Sequence, residues 1–192
     1  MKFGLEREYF ITRDGQFCLS PTTVPHDECG YLAEARGEPH TDPTAAIFSL
    51  LADEHRVRIA AKKCGCELVL EATAKLPTTL IRDALRSYGK PPATATSLYG
   101  RTYRDLTPRA GVHIHFSNEI NVTHDGKLIN TVAALLDIPK IIMSLDQAFA
   151  DVIREARRLP GMYGMKPWGF EYRSLPTTVD LLRVAAFLDS VR

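Results

Sequence analysis

The stretch GVHIHFSN, residues 111–118, places two histidines one residue apart in a segment with the composition of a buried strand. Successive side chains of a strand point to opposite faces of a sheet. His113 and His115 therefore share one face, and the apolar side chains around them share the other. A single histidine in such a strand most often only forms hydrogen bonds within a half-buried sheet. A pair on one face favours a chemical role, although the structural reading stays open.

Length, composition and charge limit the class of protein. The chain has 192 residues, of which 45% are hydrophobic, and it suits a single domain over residues 1–192. Its formal net charge is +1 with acidic and basic residues interspersed, so nothing indicates a nucleic-acid or membrane partner. The N-terminal residues are charged before an apolar leader could form, and no apolar run approaches the roughly 20 residues of a membrane span. These features predict a cytoplasmic protein.

The pattern on both sides of the histidine strand is mixed. Strands are predicted at residues 2–11, 16–20, 31–36, 66–72 and 169–174, and helices at 43–63, 77–89 and 177–192, the last capped by Thr177 or Thr178. Residues 126–158 read as helical with a break or kink at Pro139, and residues 91–108 and 159–169 read as loops. Strands and helices do not alternate as βαβ units. We therefore predict an α+β fold with a largely antiparallel sheet, helices on its apolar face and a polar face opposite.

Polar side chains occupy alternate positions in the other predicted strands as well. They are Glu6 and Glu8, Glu34 and Arg36, Glu67 and Glu71, and Glu171 and Arg173. One sheet would collect these groups and the two histidines on a single face. Carboxylates gathered so closely repel one another, and their pKa values would rise unless cations neutralise them. A divalent metal is the natural cation for such a face.

A charged, solvated face is also an ordinary feature of antiparallel sheets, and for any one pair that reading stays open. The whole set is rich in glutamate, which strands do not favour, and it contains no lysine. Carboxylates and imidazoles suit Mg²⁺ or Mn²⁺, and arginines suit phosphate. The combination indicates nucleotide-dependent phosphoryl transfer.

Three segments, GLEREYF at 4–10, GVHIHFS at 111–117 and GFEYRSLP at 169–176, carry a family resemblance. In that order they resemble the signature strands of the glutamine synthetase and glutamate-cysteine ligase superfamily. The chain is most similar to the small phage-type carboxylate-amine ligases, for which HDECGYLAEAR at 26–36 is also typical. The resemblance implies a glutamine-synthetase-like catalytic domain that uses ATP to convert a carboxylate into an acyl phosphate, which an amine then attacks to give an amide.

The resemblance also implies roles for the matched residues. The metal ligands would be Glu6, Glu8, Glu71, His113 and Glu171. Whether Glu34 and Glu67 also bind metal stays open. The catalytic residues would be His115, Arg158 and Arg173, and the nucleotide would contact His115, Ser117, Arg157 and Arg173. An exposed helix end would explain Arg157 and Arg158 equally well.

The implied cofactors are ATP and Mg²⁺ or Mn²⁺, and the implied partners are a carboxylate and an amine, each a small molecule or a peptide. The location would be the cytoplasm, that of the host cell if a phage encodes the chain. Because the chain is shorter than the larger members of the superfamily, part of the site could come from a second subunit of a homo-oligomer.

Two other functions compete with the ligase. HIHFSNEINVTHDG at 113–126 resembles the first metal motif of cupins, with His113, His115, Glu119 and His124 as its polar residues. A cupin is a jelly roll of many short strands, whereas this chain has at least three strongly helical segments. The second alternative is a protein that binds a peptide or a metal on the polar face without turnover. Nucleotide binding would separate it from the ligase.

Overall fold

The computed structural model describes residues 1–27, 30–88, 96–103, 107–117, 119–124, 127–133 and 136–191, and it describes only the backbone of residues 88, 119–124 and 127–133. These residues form ten strands and five helices. The strands are β1 (Lys2–Arg13), β2 (Gln16–Phe17), β3 (Leu32–Arg36), β4 (Glu67–Val69), β5 (Thr96–Ser97), β6 (Gly111–Ser117), β7 (Glu119–His124), β8 (Lys127–Ala133), β9 (Met162–Lys166) and β10 (Gly169–Pro176). The helices are α1 (Pro43–Lys63), α2 (Thr78–Tyr88), α3 (Ile138–Ala148), α4 (Ala150–Glu155) and α5 (Leu181–Ser190).

Eight of these strands form one sheet, in the order β2-β1-β6-β10-β9-β5, with β3 and β4 also paired to β1. Every pairing in it is antiparallel, which confirms the predicted class of sheet. Strand β1 is long enough to pair with four other strands along its two edges. The histidine strand β6 lies between β1 and β10, so it occupies the middle of the sheet.

Alternation along the central strands gives the sheet one apolar face, although the register shifts in β10 between Tyr172 and Leu175. The buried side chains of that face come mainly from β1, β6 and β10, and they pack with buried residues of α1, α3, α4 and α5 in one continuous core. The large apolar side chains from these three strands are Phe3, Leu5, Tyr9, Ile11, Val112, Ile114, Phe116, Phe170, Tyr172 and Leu175. Since burial of large apolar side chains is the main stabilising force in folding, this face sets the register of all three strands.

The opposite face is polar over most of the central strands, but one end of it is covered. Phe10 of β1 packs there in a second, smaller core with Leu32 of β3 and Ala84 of α2. Helix α2 has one apolar and one polar side, as expected for a helix that lies on a surface. The polar face is therefore closed at the Phe10 end and accessible towards the start of β1.

The prediction of a helix from residue 126 onwards is wrong for the first part of that segment. Strands β7 and β8 instead form an antiparallel two-stranded sheet. Strand β8 contains the β-branched residues Ile129, Thr131 and Val132, which favour extended backbone. Helix α3 begins only at Ile138, with the side chain of Asp137 accepting a hydrogen bond from the backbone N–H of Lys140. Pro139 therefore lies in the first turn, where its missing N–H costs nothing, and does not kink a helix.

Two further differences concern the end of the chain. The segment predicted as a glycine-rich loop contains β9, which pairs with β10 through a tight turn. Helix α5 is capped by Asp180, whose side chain accepts from the N–H of Leu182. Thr177, predicted as a cap, is fully buried and donates its hydroxyl to the carbonyl oxygen of Glu8 at 2.6 Å. None of the helices in the described ranges has both the length and the apolar character needed to cross a membrane.

Candidate functional site

The register of the three central strands brings the predicted acids and histidines together. Glu6 of β1 is directly opposite His113 of β6, and Gly4 is opposite His115. On the other edge of β6, Glu171 of β10 is opposite His115. Directly opposite side chains on one face of an antiparallel pair have Cβ atoms about 4.5–5.5 Å apart, within reach of glutamate and histidine. The register therefore places Glu6, His113, His115 and Glu171 on one face, as the alternation in the sequence predicted.

The side chains of this face contact one another around His113. Its Nδ1 atom lies 2.9 Å from Oε1 of Glu171 and 3.6 Å from Oε2 of Glu6. Nε2 of His115 lies 3.2 Å from Oε1 of Glu6. One donor atom from each of Glu6, His113 and Glu171 lies within 4.8 Å of the other two, so all three could contact a single ion. We refer to Glu6, His113 and Glu171 as the central triad.

Two buried polar atoms at the central triad make no hydrogen bond of normal geometry, namely Oε2 of Glu171 and Nε2 of His115. Oε2 of Glu171 nevertheless lies within ion-pair distance of Lys166, and Nε2 of His115 lies close to the carboxylate of Glu6. A Cβ added to Gly164, which faces Glu171 from β9, would come no closer than 3.8 Å to Oε2. Buried polar atoms are rarely left in this state unless a ligand, an ion or water completes them.

Cations of the chain itself surround the carboxylates. Nζ of Lys166 lies 2.9 Å from Oε2 of Glu171, and Nη1 of Arg173 lies 3.6 Å from its Oε1. Nε of Arg36 lies 2.6 Å from Oε1 of Glu34 and 3.4 Å from Oε1 of Glu6. Lys166 was not found by sequence reasoning, because it is in a segment that was read as a loop. These contacts offset part of the repulsion between the carboxylates.

The ionisation of the central triad follows from these contacts. Burial by itself raises the pKa of Glu6, but the rings of His113 and His115 beside its carboxylate outweigh burial and hold that pKa well below the usual range. The pKa of Glu171 is also well below its usual range, since the hydrogen bond from His113 and the nearby cationic side chains outweigh burial. Burial favours the neutral ring of His113, yet the surrounding carboxylates, Glu8 foremost, raise its pKa to about 9. Without metal, the triad is two carboxylates around an imidazolium.

The pKa of Glu34, at the edge of the cluster, shifts in the other direction. Burial is the largest cause, and the neighbouring charge of Glu6 adds to it. Although Arg36 opposes both effects, the pKa of Glu34 rises to about 7. Glu34 lies opposite Glu8 in the register of β1 and β3, next to the central triad and outside it. It is available as a proton-carrying neighbour of the cluster near neutral pH.

One carboxylate oxygen of Glu8, the other predicted ligand of β1, is hydrogen-bonded to the main chain. Its Oε2 atom accepts a hydrogen bond from the backbone N–H of Gly111 at 2.8 Å and lies 3.6 Å from Nε2 of His113. It therefore contacts the side of His113 that faces away from Glu6 and Glu171. Glu8 anchors the start of β6 and contributes negative charge to the ring.

The structure does not bring Glu71 or Glu67 to the central triad. Glu71 is exposed in the segment after β4, where it lines a groove with Arg157. Glu67 is exposed in β4, opposite Thr12 of β1. Strand β4 pairs with the far end of β1, beyond the point where β6 begins, and this explains why alternation alone placed these residues too close to the histidines.

The predicted phosphate-binding arginines have different surroundings. Arg158 is buried, and Nε, Nη1 and Nη2 donate to the carbonyl oxygens of Ser174, Ala110 and Arg173. It ties the end of β10 to the start of β6. Arg157 is exposed, with a left-handed backbone conformation at φ 51°, and it lines a cavity beside α4.

Arg173, Ser117 and Trp168 lie along the accessible part of the polar face. Arg173 contacts Glu171, as described above, and its guanidinium is partly exposed. Ser117 is half-buried at the end of β6, on the same face as His115 and opposite Gly169. The ring of Trp168 lies 5.3 Å from the ring of His115, between their centroids. Sequence reasoning missed Trp168, which lies in the β9–β10 turn, although an aromatic residue close to a predicted site strand could have drawn attention.

A scan against protein-family models finds none that matches this chain, and a search of curated proteins finds no significant match.

Proposed function

We propose that the chain is an ATP-dependent carboxylate-amine ligase with a glutamine-synthetase-like catalytic domain, in which the polar face of the sheet holds a divalent metal ion. The observation that carries the proposal is the convergence of Glu6, His113 and Glu171 from three different strands. The same three strands contain the segments that resemble the ligase superfamily. A purely solvated face would not require donor atoms from β1, β6 and β10 to meet within reach of one ion.

The donor set of the central triad fits Mg²⁺ or Mn²⁺. Two carboxylates provide the hard oxygen ligands that both ions prefer, and an imidazole is accepted more readily by Mn²⁺. Of the atoms in the central triad, Oε2 of Glu171 is buried without a hydrogen bond of normal geometry, which suits an oxygen that could bind an ion. When bound, such an ion would supply the positive charge that draws the phosphate oxygens of ATP to this face.

The other residues of the face would orient and neutralise the substrates. Arg173 is partly exposed beside Glu171, so its guanidinium could hold the oxygens of the phosphoryl group in transfer. His115, next to Glu6, would contact phosphate or substrate, and Ser117 would offer a hydroxyl from the same strand. Arg158 would act indirectly, because its hydrogen bonds hold the backbone of Arg173 and of Ala110 in place.

A metal-binding protein without turnover remains the second candidate, and one observation favours it. Lys166, Arg173 and Arg36 already neutralise the carboxylates, so the cluster is stable without a nucleotide. The cupin alternative has less support, because the eight-stranded sheet is covered by helices on one face rather than closed as a jelly roll. The side chains of Glu119 and His124, which would complete a cupin motif, lie outside the described part of the structure.

Turnover assays with substrate mixtures test the ligase proposal. The purified protein is incubated with Mg²⁺ or Mn²⁺, ATP and pooled amino acids or short peptides, and ADP and new amides are followed by mass spectrometry. We expect ADP only when a carboxylate and an amine are both present. Glu6→Gln and Arg173→Ala should abolish its release, whereas Glu38→Gln and Arg82→Ala, at exposed positions, should not. Metal binding with neither nucleotide binding nor turnover would favour the second candidate.

A further inference from the structure

Lys166 places a cation of the chain against the central triad. Its Nζ atom lies 2.9 Å from Oε2 of Glu171, one of the two buried atoms without a directed hydrogen bond. The two partners differ in accessibility, because the side chain of Lys166 is 37% exposed and that of Glu171 only 2%. The carboxylate is therefore held in place by the fold, and the ammonium group reaches it from the solvent side.

A divalent ion and the ammonium group cannot both occupy this position at low cost. A Mg²⁺ ion bound to Glu171 would lie about 2.0–2.1 Å from a carboxylate oxygen, which would leave the ammonium a few ångströms from a double positive charge. Like charges at that separation repel strongly wherever water is partly excluded. The lysine side chain has four rotatable carbons and an exposed path, so it is the partner that can leave.

We propose that Lys166, tethered to the chain, competes with the divalent ion for Glu171. Its ammonium group neutralises Glu171 in the metal-free protein and leaves the carboxylate when the ion binds. This inference rests on the proposed metal centre and adds a regulatory element to it. Lys166 would lower the apparent metal affinity and keep the unloaded triad neutralised. Only an ion that binds more strongly than the tethered ammonium would then enter the site.

The position of Trp168 makes the exchange observable. It is the only tryptophan of the chain and lies two residues after Lys166, in the turn that joins β9 to β10. Its ring contacts His115, which in turn contacts Glu6 of the central triad. A departure of Lys166 would change the charges around the indole, and tryptophan fluorescence would report it without any turnover.

Metal titration of three proteins tests the inference. Wild type, Lys166→Met and the control Lys62→Met, at an exposed position in the last turn of α1, are titrated with MnCl₂ by calorimetry and by fluorescence. If the lysine occupies Glu171 in about nine molecules out of ten, its removal should tighten Mn²⁺ binding about tenfold. We expect that gain for Lys166→Met, together with a smaller fluorescence change, and wild-type behaviour for Lys62→Met. Lys166→Arg, which keeps the charge, should not gain affinity.

A measurement on the wild-type protein covers the case in which Lys166→Met does not fold. Lysine acetylation by an amine-reactive ester is followed by mass spectrometry with and without Mn²⁺. We expect Lys166 to react faster when Mn²⁺ is bound, because its ammonium is released, and Lys62 to react at an unchanged rate.

The outcomes separate this inference from the metal centre. Equal or weaker Mn²⁺ binding by Lys166→Met, with Lys166 acetylation unaffected by the ion, would overturn the competitor role and leave the metal centre standing. Binding by Lys166→Met and not by wild type would support both. Binding by neither protein, with both shown to be folded by circular dichroism, would overturn the metal centre and the competitor together.

Discussion

Nδ1 of His113 lies 2.9 Å from Oε1 of Glu171, although three strands and two helices separate β6 from β10 along the chain. The same nitrogen lies 3.6 Å from Oε2 of Glu6 on the opposite neighbouring strand. One ring nitrogen therefore faces carboxylates from both sides, which is possible only because β6 is the strand between β1 and β10.

Removal of a carboxylate from the central triad should weaken metal binding. Glu171→Gln keeps the size of the side chain and loses the negative charge, so we expect Mn²⁺ affinity to fall by at least about tenfold. Bound ions stabilise the folded state in proportion to their affinity. The rise in melting temperature on addition of Mn²⁺ should therefore shrink in the variant. Glu38→Gln, at an exposed position, is the control. An unchanged Mn²⁺ affinity of Glu171→Gln would show that Glu171 is not a metal ligand.

The stability of the metal-free protein should fall at alkaline pH because of His113. Its pKa is about 9 in the folded protein, above the ordinary value of 6.5, so the charged ring is stabilised by folding. That contribution is complete below about pH 6.5 and is lost as the pH rises through about 9. In urea unfolding with a chelator present, the free energy of unfolding should fall by on the order of 3 kcal/mol between about pH 6.5 and 9.

Two variants isolate this effect. His113→Gln should lack most of the alkaline loss, and His55→Gln, on the exposed side of α1, should retain it. The raised pKa of Glu34, about 7, changes stability mainly below neutral pH and in the same direction, so measurements between about pH 7.5 and 9.5 separate the two groups. A wild-type protein equally stable at both ends of that range would contradict the proposed charge state of His113.

A methyl group at Gly111 should disturb the start of the histidine strand. A Cβ at this position would lie 2.8 Å from Nη2 of Arg158, 3.0 Å from the carbonyl oxygen of Leu175 and 3.2 Å from Nε2 of His113. Because the backbone oxygen cannot easily move, we expect Gly111→Ala to destabilise the fold by about 1–3 kcal/mol in urea unfolding. Gly164→Ala should destabilise the fold much less, because its Cβ would lie 3.8 Å from the nearest atom, Oε2 of Glu171. Similar losses for both variants would show that crowding at Gly111 is not the cause.

Loss of the Arg158 guanidinium should lower the stability of the fold, because Arg158 binds the main chain rather than the substrates. Arg158→Met would leave three carbonyl oxygens without their donor, at about 1–3 kcal/mol for each buried group that finds no water. We expect a clear drop in melting temperature with or without substrates. The exposed Arg154→Met is the control and should unfold like wild type. Normal stability in Arg158→Met together with lost turnover would instead point to direct contact with a phosphate.

Local sequence patterns predicted much of the architecture. The alternation in β1, β6 and β10 predicted both faces of the sheet, because an antiparallel strand with one buried face must repeat every second residue. The proline and aspartate at the start of α1 likewise marked its first turn, and the side chain of Asp42 does cap it. The helical spacing at residues 127–133 was misleading, because this segment pairs with β7, and a single-segment pattern does not show which strand is the partner.

The amino-acid sequence by itself determined which face of each strand would carry Glu6, His113 and Glu171, because side-chain direction in a strand depends only on position along it. Tertiary structure alone decided which strands became neighbours, and with that excluded Glu71, tied Arg158 to the main chain and brought Lys166 against Glu171. The reason is that strand order and register result from packing of the whole core, a collective property of distant residues.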